Sequence, residues 1–328
     1  MRDIGYPDIS VIIPSYNRAR LLGATIESFI RQDYPPESFE IIVADNNSTD
    51  NTREVVAIWQ SQSGVPVTYL PEQRQGVHFA RNSAARIARG SILYFTDDDM
   101  IADSRLLAEI RAVFSLDPLV GAATGRVLPK WETCPPMWIL KLCYNGWLSI
   151  FDHMGEGIRI EEHDFGVYSC HQAIRRDAFF RSGGFNPETV YSDYIGDGET
   201  GLNIKLKDLG YKFGYNSKSV TYHIIPPSRM TQDYLNKRLA NQGSADCYTE
   251  YRESRFSGEE LLGRIDSYRN ELMEHACMAT KKRIAGEIDW HMYEAYTHYY
   301  LNRIAYDLRL IHDPQWREQV LKYDWLSE

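Results

Sequence analysis

The stretch Ile92-Leu93-Tyr94-Phe95-Thr96-Asp97-Asp98-Asp99 decides how the rest of the chain is interpreted. Its apolar half predicts a buried β-strand, and three carboxylates follow at the end of that strand. Mg2+ and Mn2+ prefer carboxylate oxygens and are often completed by substrate phosphates, so the position favours a metal site. In an extended strand, Asp97 and Asp99 would point one way and Asp98 the other. The alternative is a solvated acidic turn that caps a following helix.

Short β-branched runs alternate with helical stretches through the first half of the chain, which is typical of βαβ units and a largely parallel sheet. Strands are predicted at Ile9–Ile13, Glu40–Ala44, Val67–Leu70, Ser91–Thr96 and Val120–Thr124. Helices are predicted at Leu21–Arg31, Arg53–Gln62, Phe79–Ala88 and Arg105–Ser115. Ligands of such sheets gather beyond the carboxyl ends of the strands. The segments expected to line a ligand site are therefore Pro14–Arg20, Asp45–Asp50, Pro71–Gly76 and Asp97–Asp99.

Composition limits the partners that the chain can have. A net charge of −9 argues against nucleic acid, whose phosphates are held mainly by Lys and Arg. The five cysteines are scattered without a C-x-x-C pair, which favours reduced thiols over disulfides or a zinc site. No apolar stretch approaches the ~20 residues that span a bilayer, and no signal region precedes the first strand. These features predict a cytoplasmic protein and allow peripheral contact with the inner face of the membrane.

The rest of the chain is less regular. Residues 126–168 are rich in Pro, Trp and Gly, which predicts a mobile or substrate-shaping loop. Trp131, Trp138 and Trp147 could stack on sugar rings or lipid, or simply pack the domain. A strand is predicted at Val167–Ile174 and a helix at Thr200–Leu209.

The C-terminal part, from about Gln232, is predicted to be helical. A set of apolar residues falls on one helical face there: Ile284, Ile288, Met292, Ala295 and Tyr299. Such a face predicts a helix that packs on the main domain or on a second copy of the chain. The predicted organisation is a catalytic domain at 1–230, in halves 1–125 and 126–230, followed by a helical extension at 231–328.

Two segments after strands have the side chains of a nucleotide site. In Pro14–Arg18, Tyr16 offers a ring for stacking on a base, and Arg18 offers a guanidinium for a phosphate. Asp45 and Asn47 suit a ribose or the imide edge of a base. The alternative for either segment is an ordinary loop between a strand and a helix, in which Ser48 or Thr49 caps the helix.

Taken together, four motifs resemble the family 2 glycosyltransferases, which have the GT-A fold: Val11–Arg18, Val43–Asp50, Ala80-Arg81-Asn82 and Asp97–Asp99. The resemblance covers roughly residues 8–225. It implies a Rossmann-like α/β fold with a mixed, mostly parallel sheet flanked by helices. It also implies an inverting transferase with a nucleotide-sugar donor, a UDP-sugar being favoured, and a divalent metal, Mn2+ or Mg2+. The acceptor would be a carbohydrate or glycolipid in polysaccharide or surface-glycan synthesis.

The resemblance also implies roles for individual residues. Those implied for the donor are Pro14, Tyr16, Asn17, Asp45, Arg81, Asn82, Asp97 and Asp98. The metal would be held by Asp99 and completed by His223, with Arg229 reaching a phosphate. The turn Gly183-Gly184-Phe185 resembles one that lies beside the family's acceptor pocket.

The catalytic base is the point at which this sequence departs from the family pattern. Members usually carry a Glu-Asp pair, whose Asp is the base, just before a helix. Here the segment is Gly196-Asp197-Gly198-Glu199, and aligning Leu202–Gly210 with that helix puts Glu199 at the position of the base. Asp197 is the alternative base.

The sequence also bears on three other functions. The spacing Gly196-x-Gly198-x-x-Gly201 matches a dinucleotide fingerprint, but no apolar strand precedes it, so an oxidoreductase is disfavoured. A sugar-nucleotide pyrophosphorylase-like nucleotidyltransferase should carry a glycine-rich, basic loop after the first strand, and Pro14–Arg18 lacks one. A non-catalytic relative that only binds sugar nucleotides should have lost carboxylates that this chain retains.

Overall fold

The computed structural model describes residues 7–152, 154–186 and 197–327. Its strands are β1 (Ile9–Ser15), β2 (Phe39–Asp45), β3 (Val67–Pro71), β4 (Ile92–Thr96), β5 (Met100–Ala102), β6 (Val120–Trp131), β7 (Ile158–Glu161), β8 (His171–Arg175) and β9 (Lys212–Ile225). Its helices are α1 (Ala19–Ile30), α2 (Thr52–Gln62), α3 (Val77–Ile87), α4 (Leu106–Leu116), α5 (Met137–Leu142), α6 (Arg176–Arg181), α7 (Gly198–Asp208), α8 (Gln232–Ser254), α9 (Gly258–Ala285), α10 (Trp290–His312) and α11 (Pro314–Leu321). Short 3-10 turns occur at Pro36–Ser38, Gly146–Leu148 and Pro227–Arg229.

The strands form one mixed sheet in the order β3-β2-β1-β4-β8-β6-β9-β5, with β7 also paired to β9. Neighbours among β1 to β4 are parallel, and β8 runs antiparallel between β4 and β6. In this register Ser15 lies beside Asp45, and Asp45 lies beside Pro71. The carboxyl ends of the first three strands therefore meet at one edge, as the βαβ pattern predicts.

Helices cover both faces of the sheet because both faces of its central strands are apolar. In β1, Val11 and Ile13 point into a core shared with α1 and α4, whereas Ile12 points into a second core shared with α3 and α7. All three side chains are fully buried. The alternation of the strand thus joins two helical layers into a single α/β unit.

The middle of the chain is more regular than the sequence predicts. β6 continues past Thr124 to Trp131 because it pairs with β9 along its length, and Trp131 lies beside Ile225. The strand predicted at Val167–Ile174 begins only at His171. His223 lies within β9, where it pairs with Met100 of β5. These strand boundaries depend on pairing partners that are distant in sequence, so local sequence patterns do not predict them.

The C-terminal helices begin at Gln232, as predicted, but the single helical face expected from Ile284 to Tyr299 is wrong. Gly286 adopts a φ of +71° and ends α9, and α10 begins only at Trp290. Ile284 is 84% exposed. None of the helices in the described ranges combines the length and apolar character needed to cross a membrane. Oligomer formation and the division of the chain into domains stay predictions.

Candidate functional site

The three consecutive carboxylates, Asp97–Asp99, lie in a tight turn between β4 and β5, which we call the carboxylate turn. Asp97 forms an ion pair with Arg81 of α3 at 2.5 Å. The Nη1 group of Arg18 donates both to Asp98, at 3.0 Å, and to Asp99, at 2.7 Å. The predicted alternation, with Asp98 opposed to its two neighbours, is wrong because the backbone here is turned and not extended.

The side chain of Asp98 is buried against the last residue of β1, Ser15. Its Oδ2 atom accepts a hydrogen bond from Ser15 Oγ at 2.8 Å, and only 4% of the residue is exposed. Burial raises the pKa of this carboxyl to about 6, although Arg18 opposes the change, while Asp99 adds to it. Asp98 is therefore harder to ionise than an exposed aspartate, even with Arg18 beside it.

Asp99 is held by cations from two directions. Its Oδ2 atom accepts from Arg18 and, at 2.8 Å, from Nη2 of Arg229, and His223 Nε2 lies 3.6 Å away. Burial acts to raise the pKa of Asp99, but His223 when its ring is protonated, Arg229 and Arg18 hold it well below its usual range. Its Oδ1 atom is buried and has no hydrogen-bond partner in the parts of the chain that the structure describes. Asp99 thus offers one free, ionised carboxylate oxygen.

The orientation of His223 follows from its contact with Leu148. Nδ1 lies 2.8 Å from the Leu148 carbonyl oxygen, which can only accept, so Nδ1 carries the ring proton. In the neutral ring Nε2 then presents a lone pair, which accepts from Nη1 of Arg229. No cluster of three or more His, Cys, Asp or Glu side chains that could hold a metal occurs within the described ranges. A metal bound to Asp99 and His223 would need further ligands from a substrate.

A cleft of about 330 Å3, which we call the β1 cleft, opens beside the carboxylate turn. It is lined by Pro14, Ser15, Tyr16, Arg18, Asn46, Gln75, Val77, Asp97 and Asp98. Five of the residues predicted for the donor are among them, and Tyr16 is 48% exposed, with its ring available for stacking. Asn46 and Gln75 were not singled out from the sequence, although both lie in segments that follow strands.

Asn17, Asp45 and Asn47 shape the loops around the β1 cleft. Asn17 and Asn47 have positive φ angles of 52° and 70°, a backbone conformation that Asn tolerates better than most residues. Asn17 Oδ1 accepts from the Thr49 backbone N–H at 2.7 Å, which ties the first loop to the second. Asp45 accepts from the Tyr69 hydroxyl at 2.6 Å. Direct contact of these three residues with a donor stays a prediction.

The turn at Gly183–Phe185 is fastened to α3. The Asn82 side chain donates to the Phe185 carbonyl and accepts from the Phe185 N–H, both at 3.0 Å. Gly184 has a φ of +73°, and a Cβ there would lie 2.9 Å from Asn82 Oδ1, so glycine suits this position. The Gly183 carbonyl accepts from the Trp325 N–H at 3.0 Å. Asn82 therefore positions this turn, and C-terminal residues cover it.

Glu199 lies in the first turn of α7 and faces a second cavity, of about 400 Å3, which we call the Glu199 cavity. It is lined by Asn145, Gly146, Trp147, Ser149, Tyr168, Glu199, Thr200, Arg238 and Gln242. Ser169 Oγ donates to Glu199 Oε2 at 3.2 Å. Ser169 just precedes β8, whose His171 pairs with Thr96 at the entrance to the carboxylate turn. The cavity and the carboxylate turn are thus joined by neighbouring strands.

Cys170 supports this proximity. Burial raises the pKa of its thiol well above the usual value, and the nearby carboxylates of Asp97, Glu199 and Asp99 add to the effect. All three carboxylates act on this one buried thiol. They therefore belong to a single region at the edge of the sheet.

Asp197 has different surroundings from Glu199. It accepts from Asn186 Nδ2 at 2.7 Å and from Thr249 Oγ1 at 3.3 Å, and it lines a separate cavity of about 290 Å3 beside Lys205. A Cβ on Gly201 would lie 2.0 Å from Asp197 Oδ1, so this glycine allows the carboxylate to pack on α7. Gly196, the first glycine of the dinucleotide-like spacing, lies outside the described residues.

The sheet, with acidic groups and the β1 cleft at its carboxyl edge, is an α/β arrangement of the class in which ligands bind beyond the ends of the strands. A model of glycosyl transferase family 2 matches residues 10–181, which is more than half of the chain. The chain therefore belongs to glycosyl transferase family 2.

Individual relatives agree with this assignment. Validoxylamine A glucosyltransferase from Streptomyces hygroscopicus subsp. limoneus is 36% identical over 106 residues, covering 32% of this chain and 23% of that protein. The chain thus matches about a quarter of that curated relative's length.

Two solved structures show the same fold. The mannosyltransferase PcManGT from Pyrobaculum calidifontis, solved with GDP-Man and Mn2+, has a TM-score of 0.61 at 20% identity, covering 93% of this chain and 88% of that one. Residues 1–349 of Staphylococcus aureus TarS give a TM-score of 0.50 at 16% identity, covering 92% and 91%. The chain therefore has the predicted GT-A fold with additional C-terminal helices.

Proposed function

We propose that this chain is an inverting glycosyltransferase that moves a sugar from a nucleotide-diphosphate donor to an acceptor hydroxyl. The observation that carries the proposal is the carboxylate turn, which lines the β1 cleft and is linked to the Glu199 cavity through the paired strands β4 and β8. One cavity presents Tyr16 and Arg18, which suit a base and a phosphate, and the other presents the carboxylate of Glu199. Family membership supports the reaction class, and the GDP-Man in the PcManGT structure supports a nucleotide-sugar donor.

Glu199 is the base in this proposal. It would take the proton of the acceptor hydroxyl as that oxygen attacks the anomeric carbon from the face opposite the leaving diphosphate, which inverts the configuration. Its partial exposure in a cavity supports this role, as does a carboxylate that, among the described residues, accepts a hydrogen bond only from Ser169. Asp197 is a weaker choice because Asn186 and Thr249 already engage both of its oxygens. We assign Asp197 to positioning α7.

Asp99 and His223 would hold a divalent cation, Mn2+ or Mg2+. The free, buried Oδ1 atom of Asp99 fits such an ion, and the Nε2 lone pair of His223, which now accepts from Arg229, would join it once that arginine moves. The ion would stabilise negative charge that develops on the leaving diphosphate. Arg18 and Arg229, which now donate to Asp99, could then turn to the phosphate oxygens.

The wider role remains the one expected from the sequence. A UDP-sugar is the first donor to test, the acceptor is a carbohydrate or a glycolipid, and the context is polysaccharide or surface-glycan synthesis. Peripheral contact with a membrane and assembly through the C-terminal helices are part of the same expectation. No nucleic acid is involved in the proposal.

A thermal-shift panel tests the proposal. UDP-, GDP- and dTDP-sugars are added with and without Mn2+, and a donor should raise the melting temperature only when the metal is present. In Asp99→Asn, the donor should no longer raise the melting temperature when Mn2+ is present. Glu162→Gln, which removes an exposed carboxylate, should keep the metal-dependent shift of the wild type. The absence of any shift with all three nucleotide classes in the presence of Mn2+ would contradict the proposal.

A further inference from the structure

We propose that Arg238, on the C-terminal helix α8, binds an anionic group of the acceptor, a phosphate or a carboxylate, within the Glu199 cavity. The inference rests on the proposed function, because it names the acceptor class of the same site. It assigns to the helical extension a part in choosing the acceptor.

The first observation is that Arg238 has no ion-pair partner among the described residues. Across the ranges that the structure describes, its guanidinium makes no hydrogen bond or ion pair, and its Nε atom is buried without a partner. Other arginines of the extension are satisfied: Arg252 donates to two backbone carbonyls, and Arg264 donates to Glu250 and Asp307. A partly buried guanidinium without a partner is unfavourable, so an anionic ligand is its natural complement.

The second observation is the cavity that Arg238 lines. A volume of about 400 Å3 is within the range of ligand pockets, and Trp147 and Tyr168 supply aromatic surfaces on which a sugar ring can stack. Glu199 and Arg238 both line this space, yet they are too far apart to form an ion pair. An acceptor can therefore place its reacting hydroxyl at Glu199 and its anionic group at Arg238.

The third observation is that packing holds Arg238 at this position. Leu235 and Leu239 of α8 belong to a core with Ile139 of α5 and with Leu148, which follows Trp147 in the same 3-10 turn. Arg238 lies three residues after Leu235, so the two are neighbours on the helix surface and Arg238 borders the packed face of α8. The same packing that attaches the extension to the catalytic domain therefore presents Arg238 to the cavity.

The test compares small anionic and neutral probes on the full chain at constant ionic strength. Binding of methyl β-D-glucuronide, methyl β-D-glucoside and inorganic phosphate is measured by ligand-observed NMR titration. The variants are Arg238→Gln, Arg238→Lys and, as a matched control, Lys237→Gln, which removes the exposed cation next to it on α8. Loss of a charge-assisted pair should weaken binding by about tenfold or more in Arg238→Gln.

Specific outcomes follow for each probe. At least one anion should bind more weakly to Arg238→Gln and recover in part with Arg238→Lys, while the neutral glucoside and the Lys237→Gln variant should show no change. If only the binding of phosphate depends on Arg238, the acceptor is phosphorylated. If only the binding of the glucuronide depends on Arg238, the acceptor carries an acidic sugar. Equal affinity of both anions for wild type and Arg238→Gln, or no binding of either to the wild type, would overturn the inference.

A parallel measurement separates this inference from the proposed function. The metal-dependent thermal shift with nucleotide sugars should be the same in Arg238→Gln and in the wild type, because Arg238 lies outside the β1 cleft. Anion binding that depends on Arg238 without any nucleotide binding would support this site and reject the proposed donor. Nucleotide binding without anion binding would support the proposed donor and reject the Arg238 site.

Discussion

Nη2 of Arg229 lies 2.8 Å from Oδ2 of Asp99, so the carboxylate proposed to hold a metal already has a cationic partner. Since Arg18 donates to the same oxygen, a metal ion arriving alone meets two guanidinium groups. A nucleotide diphosphate would give both arginines new acceptors. Metal and nucleotide binding should therefore reinforce each other.

Replacement of Arg229 tests this coupling. In Arg229→Gln, Mn2+ without nucleotide should bind about tenfold more tightly, because one charge-assisted competitor for Asp99 is removed. The stabilisation by nucleotide with Mn2+ should fall. Calorimetric titration of Mn2+ with and without UDP measures both effects. Arg20→Gln, at an exposed residue paired with Glu132, is the control, and an unchanged Mn2+ affinity in Arg229→Gln would refute competition.

Replacement of the proposed base should separate binding from chemistry. Glu199→Gln should lower turnover by about 100-fold or more, since a general base typically contributes that much, and should leave donor binding intact. Turnover is followed by release of the nucleoside diphosphate, and donor binding by thermal shift. Asp197→Asn is the comparison: it should reduce the melting temperature more than Glu199→Gln because two hydrogen bonds depend on Asp197. Full turnover in Glu199→Gln would require another base.

Two glycines in the helical extension should respond oppositely to alanine. A Cβ on Gly243 of α8 would lie 2.3 Å from the Tyr299 carbonyl oxygen of α10, so Gly243→Ala should push the two helices apart and destabilise the chain by about 1–3 kcal/mol. On α9, a Cβ added at Gly263 would meet no described atom within 4 Å beyond its chain neighbours and the backbone of its own helix, so Gly263→Ala should stabilise the chain by about 0.5–1 kcal/mol. Urea unfolding measures both. Equal effects would mean that the α8–α10 approach is looser than described.

His171 should make the chain sensitive to acid. It is fully buried, Tyr94 OH lies 2.7 Å from its Nδ1, and burial lowers its pKa from 6.5 to about 4 while a contact with the Ser219 carbonyl opposes the change. Between these two values only the unfolded chain binds the proton. The free energy of unfolding should therefore fall as the pH drops from 6.5 to 4, by about 3 kcal/mol in total.

Urea unfolding across that pH range measures the His171 effect. His171→Gln should be less stable at neutral pH but should lose less stability on acidification, because glutamine can still accept and donate without titrating. His163→Gln, at an exposed position, should keep the slope of the wild type. An unchanged slope in His171→Gln would assign the acid sensitivity to other groups.

Much of the fold follows from local patterns. The β-branched run at Ile9–Ile13 and the apolar run before Asp97 are short-range signals of buried parallel strands, and the structure places strands there. The break at Gly286 was missed because the apolar spacing continues on both sides of it, although a glycine that can adopt a positive φ ends the helix. β5 was also missed, since three residues that pair only with distant β9 carry little pattern of their own.

The sequence by itself determined the first four strands with the helices between them, the family, and the three carboxylates that follow β4, because these depend on residue types in short consecutive segments. Tertiary structure decided which charges meet. Arg18 and Arg229 reach Asp99 from more than eighty residues away in either direction, and Arg238 reaches the Glu199 cavity from a helix beyond the family match. Such pairings depend on how the sheet edge and the helices pack in three dimensions, and the spacing of residues along the chain does not contain that information.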